Sequence, residues 1–151
     1  RPRLDLLVND FTFRAVRDNS LVLYESHFKR NYIHVRDISK CFQFCISNHK
    51  TINEIFNVGL SDTNISKLEL ATRIKKYIPN LDIQENNEEK DPDQRNYIVS
   101  NKKIESTGFK VQYFINDGVE EVFLTLYKFV AKQHNDSMIK EEVNGNYNKI
   151  Q

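Results

Sequence analysis

Two arginines, Arg30 and Arg95, carry the side chains best suited to gripping an anion, because a planar guanidinium fork can engage two oxygens of one group at once. Arg30 is followed by Asn31 and Tyr32, and Arg95 is preceded by Lys90 and Asp91, so each fork sits among further polar side chains. Tyr32 can equally serve as core. Other reactive residue types are less well placed for chemistry. His34 lies between Ile33 and Val35 in a strand-like run, with no second His or Cys at metal-ligand spacing, so packing is its expected role. Asp37 stands where a carboxylate accepts the free N–H groups of a first helical turn. Cys41 and Cys45 fall one turn apart on an apolar helix face and are expected to fill core. The glycines are only Gly59, Gly108, Gly118 and Gly145, so no glycine-rich loop can bring a helix N-terminus against a pyrophosphate.

The elements that must hold these residues follow from periodicity. Arg30 to Asp37 reads as a strand handing over to a helix, with Tyr32, Ile33 and Val35 as half-buried strand residues. The helix carries Ile38, Cys41, Phe42, Cys45 and Ile46 as one apolar stripe. Glu54 to Val58 alternates into a strand that ends at Gly59. Ser66-Lys67-Leu68-Glu69 is a capping box, with Ile65 and Leu70 positioned as a staple. The helix it opens buries Leu70, Ala71, Ile74, Tyr77 and Ile78 until Pro79 stops it.

Around this centre, residues 3 to 17 read as a helix stopped by Asp18-Asn19-Ser20, and Leu21 to Tyr24 as a short strand whose pairing stays open. Leu81 to Gln84 reads as a brief strand, and Glu85 to Asp91 as a solvated charged loop. Tyr97 to Val99 reads as another short strand. Asn101 to Thr107 is a short helix closed by Gly108, and a last helix runs from Asn116-Asp117 to His134 with Val119, Val122, Phe123, Leu126 and Val130 inward. From His134 to Gln151 the composition is polar and unperiodic, as in a mobile tail.

Three of these stretches, taken in order, carry a resemblance. Arg30-Asn31-Tyr32-Ile33-His34-Val35-Arg36-Asp37 resembles the start of the carboxy-terminal region of the extended short-chain dehydrogenase/reductases, the NAD(P)-dependent epimerases and dehydratases of nucleotide sugars. Phe56-Asn57-Val58-Gly59 resembles the family's "Y-N-V-G" strand. Asp91-Pro92-Asp93-Gln94-Arg95-Asn96-Tyr97, with Lys103-Ile104 and Gly108-Phe109, resembles "D-P-x-x-R-x-Y…K-I…L-G-F". The likeness spans roughly residues 3 to 131 and covers only the family's second half.

What the resemblance implies is a Rossmann-type enzyme's substrate-binding portion, in which Arg30 reaches a phosphate and Asp91 and Arg95 contact nucleotide or phosphate. Asn31 and Tyr32 accompany Arg30. Lys90 stands where many relatives have arginine, keeping the charge and losing the fork. The family's tyrosine base is absent, since no Tyr here has a Lys four residues later. NAD or NADP would be held in the complete protein by an amino-terminal dinucleotide domain that this chain does not contain, and the chain alone would bind no cofactor and turn nothing over.

Composition sets the outer limits. The 151 residues are 39% hydrophobic and 28% charged with a net charge of only +1, which suits one domain of modest core and gives no field for nucleic acid or an anionic membrane. No apolar run approaches the ~20 residues that cross a bilayer. Neither a signal-peptide pattern nor a cysteine framework is present, which points to a reducing cytoplasmic setting. The expected fold class is α/β, or α+β as an isolated piece, with short strands and about five helices. Residues 1–133 form the substrate-binding domain and 134–151 the tail. The expected partners are a nucleotide-sugar substrate, the protein's own amino-terminal Rossmann domain and a second copy in a homodimer. A non-catalytic binding or scaffold subunit of the same family is the alternative.

Overall fold

The computed structural model describes residues 3–86, 88 and 95–134, the side chains of 131–134 excepted. Among these residues there are five α-helices and four short strands in the order α1 (Leu7–Asp18), β1 (Ser20–Tyr24), β2 (Lys29–Asn31), α2 (Val35–Ser47), β3 (Asn64–Ser66), α3 (Lys67–Lys75), β4 (Asp82–Asn86), α4 (Lys102–Ser106) and α5 (Ile115–His134). A single 3-10 turn, His49–Thr51, follows α2. β1 pairs with β4, and β2 pairs with β3. This is the mixed helix-and-strand class expected. The chain divides into two compact units, one of residues 1–22, 71–84 and 119–151, the other of residues 23–70 and 85–118.

In the first unit α1 buries Phe11, Thr12 and Ala15 and ends where Asn19 takes a left-handed φ of 51° and donates its N–H to Ala15 O at 3.1 Å. Asn19 then ties down the chain after α3, accepting at its carbonyl from Asp82 N–H and donating its side-chain amide to Asn80 O. Ala71 and Ile74 of α3 are fully buried, as are Leu81 and Val119. The rings of Tyr77 and Phe123 lie 5.6 Å apart. The expected stripes of both helices are therefore the ones turned inward.

The second unit holds the residues singled out above. β2 and β3 are antiparallel with Lys29 opposite Ser66, Arg30 opposite Ile65 and Asn31 opposite Asn64. The capping box forms as the sequence requires: Glu69 Oε2 accepts from Ser66 N–H at 2.6 Å, and Ser66 Oγ accepts from Glu69 N–H at 3.1 Å. Two orphan donors at the start of α3 are thus satisfied. Gly108, at φ 104°, closes α4 in a backbone region where a Cβ is costly, and donates to Glu105 O.

Four expectations need correction. The strand at Arg30 stops at Asn31, because Tyr32 O is taken by Leu60 N–H and His34 already caps the helix, its Nδ1 accepting from Arg36 N–H at 3.2 Å. Val35 is consequently the first residue of α2 and is exposed. Asp37 is not the cap of its own helix. Its buried carboxylate instead accepts from Gln112 N–H and Tyr113 N–H, fastening α2 to the 112–113 segment. Third, the stripe on α2 is only half covered, since Cys41 is buried while Phe42 and Ile46 are exposed.

Last, residues 54–58 and 97–99 are extended without being ladder strands. Alternation points to a strand at 54–58, but that run has no strand beside it among the described residues, and 97–99 is tied by the Asn64 amide and one backbone bond from Tyr97 N–H to Lys29 O. The charged loop from Glu85 begins inside β4, and its remainder lies almost wholly outside the described residues. Of the expected tail only His134, the last residue of α5, is described.

Candidate functional site: Arg30 and the 95–99 segment

The site is assembled on the β2–β3 ladder. Alternation along β2 turns Arg30 inward between two half-buried neighbours, and its side chain is 7% exposed. Outside the ladder, the 96–99 segment is bonded to the same two strands. Asn96 Oδ1 accepts from Lys29 N–H at 2.9 Å, and Tyr97 N–H donates to Lys29 O at 3.4 Å. Asn64 imitates a strand partner with its amide: Nδ2 donates to Val99 O at 3.0 Å, and Oδ1 accepts from Val99 N–H at 2.8 Å. A short side chain thus performs both halves of a ladder pair, which fixes an otherwise irregular segment.

This fastening places Tyr97 beneath Arg30. The guanidinium carbon lies 5.3 Å from the ring centroid, and Nη1 donates to Lys29 O at 3.0 Å. A ring face and a carbonyl hold the plane of the fork, which lowers the rotamer entropy lost when it meets a ligand. Beside Tyr97 opens a cavity of about 450 Å³ lined by His27, Lys29, Asn96, Tyr97 and Ile98. Its wall combines the Lys29 cation, one amide, the imidazole and phenol rings of His27 and Tyr97, and an aliphatic side chain. Chemically that suits an anion attached to a flat or apolar body.

Arg95 is exposed, immediately ahead of this wall. The structure therefore brings the two arginine-bearing stretches to one place. Lys90 and Asp91 lie outside the described residues. Asn31 and Tyr32 take a different part. Asn31 Nδ2 donates to Leu60 O at 2.7 Å and its Oδ1 accepts from Asn101 Nδ2 at 3.4 Å. An added Cβ on Gly59 would stand 1.7 Å from Asn31 Oδ1, so only glycine permits that amide to reach the turn. The Tyr32 hydroxyl is buried with no partner among the described residues, and burial pushes its pKa up, partly opposed by the Arg30 charge. Both residues bind β2 to the 59–60 turn.

His34 stacks on Tyr113 at 4.6 Å between centroids, and the cations of Arg36 and Lys40 also face that ring. It packs and caps, as a helix-leading histidine does. Cys41 and Cys45 are free thiols with their sulfurs 4.0 Å apart. Among the described residues no group of His, Cys, Asp and Glu could hold a metal, and no helix is long and apolar enough to cross a membrane.

Sequence reasoning passed over Lys29, Tyr97 and His27 as site residues. A signal existed for two of them: Lys29 adjoins Arg30, and Tyr97 closes the motif that contains Arg95. His27 had none.

No family model matches the chain. Its fold is nevertheless shared with solved enzymes. It is similar to a UDP-N-acetylglucosamine 4-epimerase from Bacillus cereus, with a TM-score of 0.62 and 24% identity over 80% of this chain and 39% of that one. It is similar to a dTDP-glucose 4,6-dehydratase from Bacillus anthracis in complex with NAD, with a TM-score of 0.66 and 19% identity over 85% of this chain and 41% of that one. A GDP-mannoheptose C4 reductase from Campylobacter jejuni with NADP bound matches at a TM-score of 0.60 and 19% identity, over 83% of this chain and 44% of that one. The chain thus has the fold of one part of enzymes that epimerise, dehydrate or reduce nucleotide sugars, and it spans less than half of their length.

Proposed function

We propose that this chain is the sugar-nucleotide-binding portion of an NAD(P)-dependent nucleotide-sugar epimerase or dehydratase of the extended short-chain dehydrogenase/reductase family. The observation that carries the reading is the contact of Arg30 with the Tyr97 ring, because it joins the two stretches that resemble the family's phosphate-side motifs, and Asn96 and Tyr97 of the second stretch line the neighbouring cavity. The shared fold supports the same reading. In it, Arg30, with its plane held on Tyr97, engages the diphosphate, Lys29 adds positive charge at the cavity wall, and the exposed Arg95, next to Asn96 in the chain, joins the contact. Lys90 and Asp91 belong to the same contact set, and Asn31 and Tyr32 shape the floor through the 59–60 turn.

The oxidoreduction belongs to a dinucleotide-binding half of the protein that would supply the nicotinamide and the tyrosine base. This chain contributes binding and orientation, and by itself is inactive and holds no NAD(P). Turnover decides the proposal. The complete protein, given UDP-, dTDP- and GDP-sugars with NAD or NADP, should yield an epimerised, dehydrated or reduced sugar nucleotide. Saturable nucleotide-sugar binding without turnover would instead favour a non-catalytic binding subunit, and no binding of any of them would refute the proposal.

A further inference from the structure

One turn of α2 carries two thiols that nucleotide-sugar binding does not use. Cys41 and Cys45 lie on the same side of the helix, both thiols are free, and their sulfurs are 4.0 Å apart. Cys41 is 7% exposed and packs with Ile104 and Phe109, while Cys45 is half-buried at the edge of the same apolar cluster. The inner thiol is thus shielded and the outer one reachable. Burial, reinforced by the neighbouring Cys45, also pushes the Cys41 thiol up, so Cys41 keeps its proton at neutral pH.

Geometry and charge sort the chemistries open to such a pair. A disulfide needs its Cβ atoms about 3.5–4.5 Å apart, whereas residues one helical turn apart hold theirs at about 5–6 Å. The helix would have to deform. Deformation is resisted here, because both residues lie inside the span Val35–Ser47 and the buried Thr51 Oγ1 donates to Cys45 O at 2.8 Å, which fixes the last turn. A zinc ion needs four ligands and finds only these two, since among the described residues no three His, Cys, Asp or Glu side chains converge. A monovalent ion such as Cu(I) accepts two thiolates, but the product would carry a net negative charge against the rings of Phe44, Phe56 and Phe109.

We propose that Cys41 and Cys45 form a dithiol site on α2 for a trivalent arsenical, whose arsenic bridges the two sulfurs across one helical turn. A bridging atom supplies the reach that a direct S–S bond lacks, so the helix keeps its form. The reaction with an organic arsenoxide, R–As=O, is a condensation: two S–H bonds and the arsenic–oxygen bond break, two As–S bonds form, and the oxygen leaves with both protons as water. Arsenic stays trivalent and the product is uncharged. Such a product suits the apolar cluster, and the loss of both protons as water spares Cys41 from standing as a buried thiolate. Cys45 forms the first bond because it is reachable. Cys41, its sulfur 4.0 Å away, then closes the ring as an intramolecular step at high effective concentration.

Phenylarsine oxide added to the complete protein tests this, with mass spectrometry of the tryptic peptide that carries Cys41 and Cys45 and circular dichroism to show that the fold persists. That peptide should hold one phenylarsenic group. The monothiol β-mercaptoethanol should remove it about a hundredfold more slowly than from Cys41→Val, in which only one As–S bond can form and the core stays filled. Cys45→Ala serves as the second variant should the first fail to fold. Retention in a folded single variant equal to that in the unaltered protein would overturn the proposal, as would the absence of any adduct on the folded unaltered protein. So would oxidation by diamide to a disulfide between Cys41 and Cys45 that runs as fast in the folded protein as in urea, since the helix would then not resist the shorter bridge.

Discussion

The guanidinium of Arg30 lies over the ring of Tyr97, Cζ 5.3 Å from its centroid, and this contact joins two stretches that are far apart in sequence into one wall. A cation held over an aromatic face contributes ~0.5–2 kcal/mol depending on how far it is desolvated. Arg30 is nearly buried, while Tyr97 is about half-exposed at the cavity. Tyr97→Phe keeps the ring and should leave nucleotide-sugar affinity within about twofold, whereas Tyr97→Leu should weaken it by ~1 kcal/mol, roughly fivefold. Calorimetric titration of the two variants of the complete protein checks this, and equal affinities would mean the ring does not orient the fork.

The 59–60 turn beside β2 makes a second, steric prediction. Gly59→Ala forces a methyl group to within 1.7 Å of Asn31 Oδ1, so the amide must turn away and give up its bond to Leu60 O. Overpacking of this kind costs ~1–3 kcal/mol. Because the clash and the lost bond involve the same side chain, adding Asn31→Ala to Gly59→Ala should cost much less than the sum of the two single changes. Urea denaturation of the two single variants and the double variant reads the coupling, and strict additivity would contradict the geometry.

How much of this was legible without coordinates depends on whether the cause was local. The Ser66–Glu69 capping box, the stop at Asn19 and the cap at Gly108 are set by neighbours within one turn, and each is found where the residues place it. Strand partners are non-local, and there the reading stopped: nothing in Leu21–Tyr24 says that β4 will be its partner, nor in Asn64–Ser66 that it will pair with β2. Asp37 misled for the same reason, since its acceptors are equally satisfied by its own helix or by the distant Gln112 and Tyr113 amides. The half-covered stripe on α2 is the instructive case. Periodicity announced the apolar face, and it could not say that Cys41 would be buried while Phe42 and Ile46 stay exposed.

The thiol pair gives a pH dependence with a definite sign. Burial, reinforced by the adjacent Cys45, pushes the Cys41 thiol up from 9.0 to about 11. The folded state therefore holds the proton more tightly than the unfolded chain does. Its contribution to stability is complete below about pH 9 and is lost as the pH rises through about 11. In a Cys45→Ala variant the thiolate absorbance near 240 nm, a wavelength chosen for the sulfur anion, should appear well above pH 9 when native and near pH 9 in denaturant. Identical titrations in the two states would show that Cys41 is not held in the apolar setting described.

The account turns on Arg30 as the group that grips the diphosphate, and titration of the complete protein with UDP- and dTDP-sugars measures that directly. Arg30→Ala should lower affinity by ~1.5–3 kcal/mol, the range for a hydrogen bond to a charged group, while Arg30→Lys should recover only part of the loss because an ammonium keeps the charge without the fork. Melting temperature recorded on the same samples distinguishes a lost contact from a lost fold. Weakened binding by a folded Arg30→Ala protein, with partial recovery in Arg30→Lys, is the predicted result. Unchanged affinity in a folded Arg30→Ala protein would contradict it and remove Arg30 from the site.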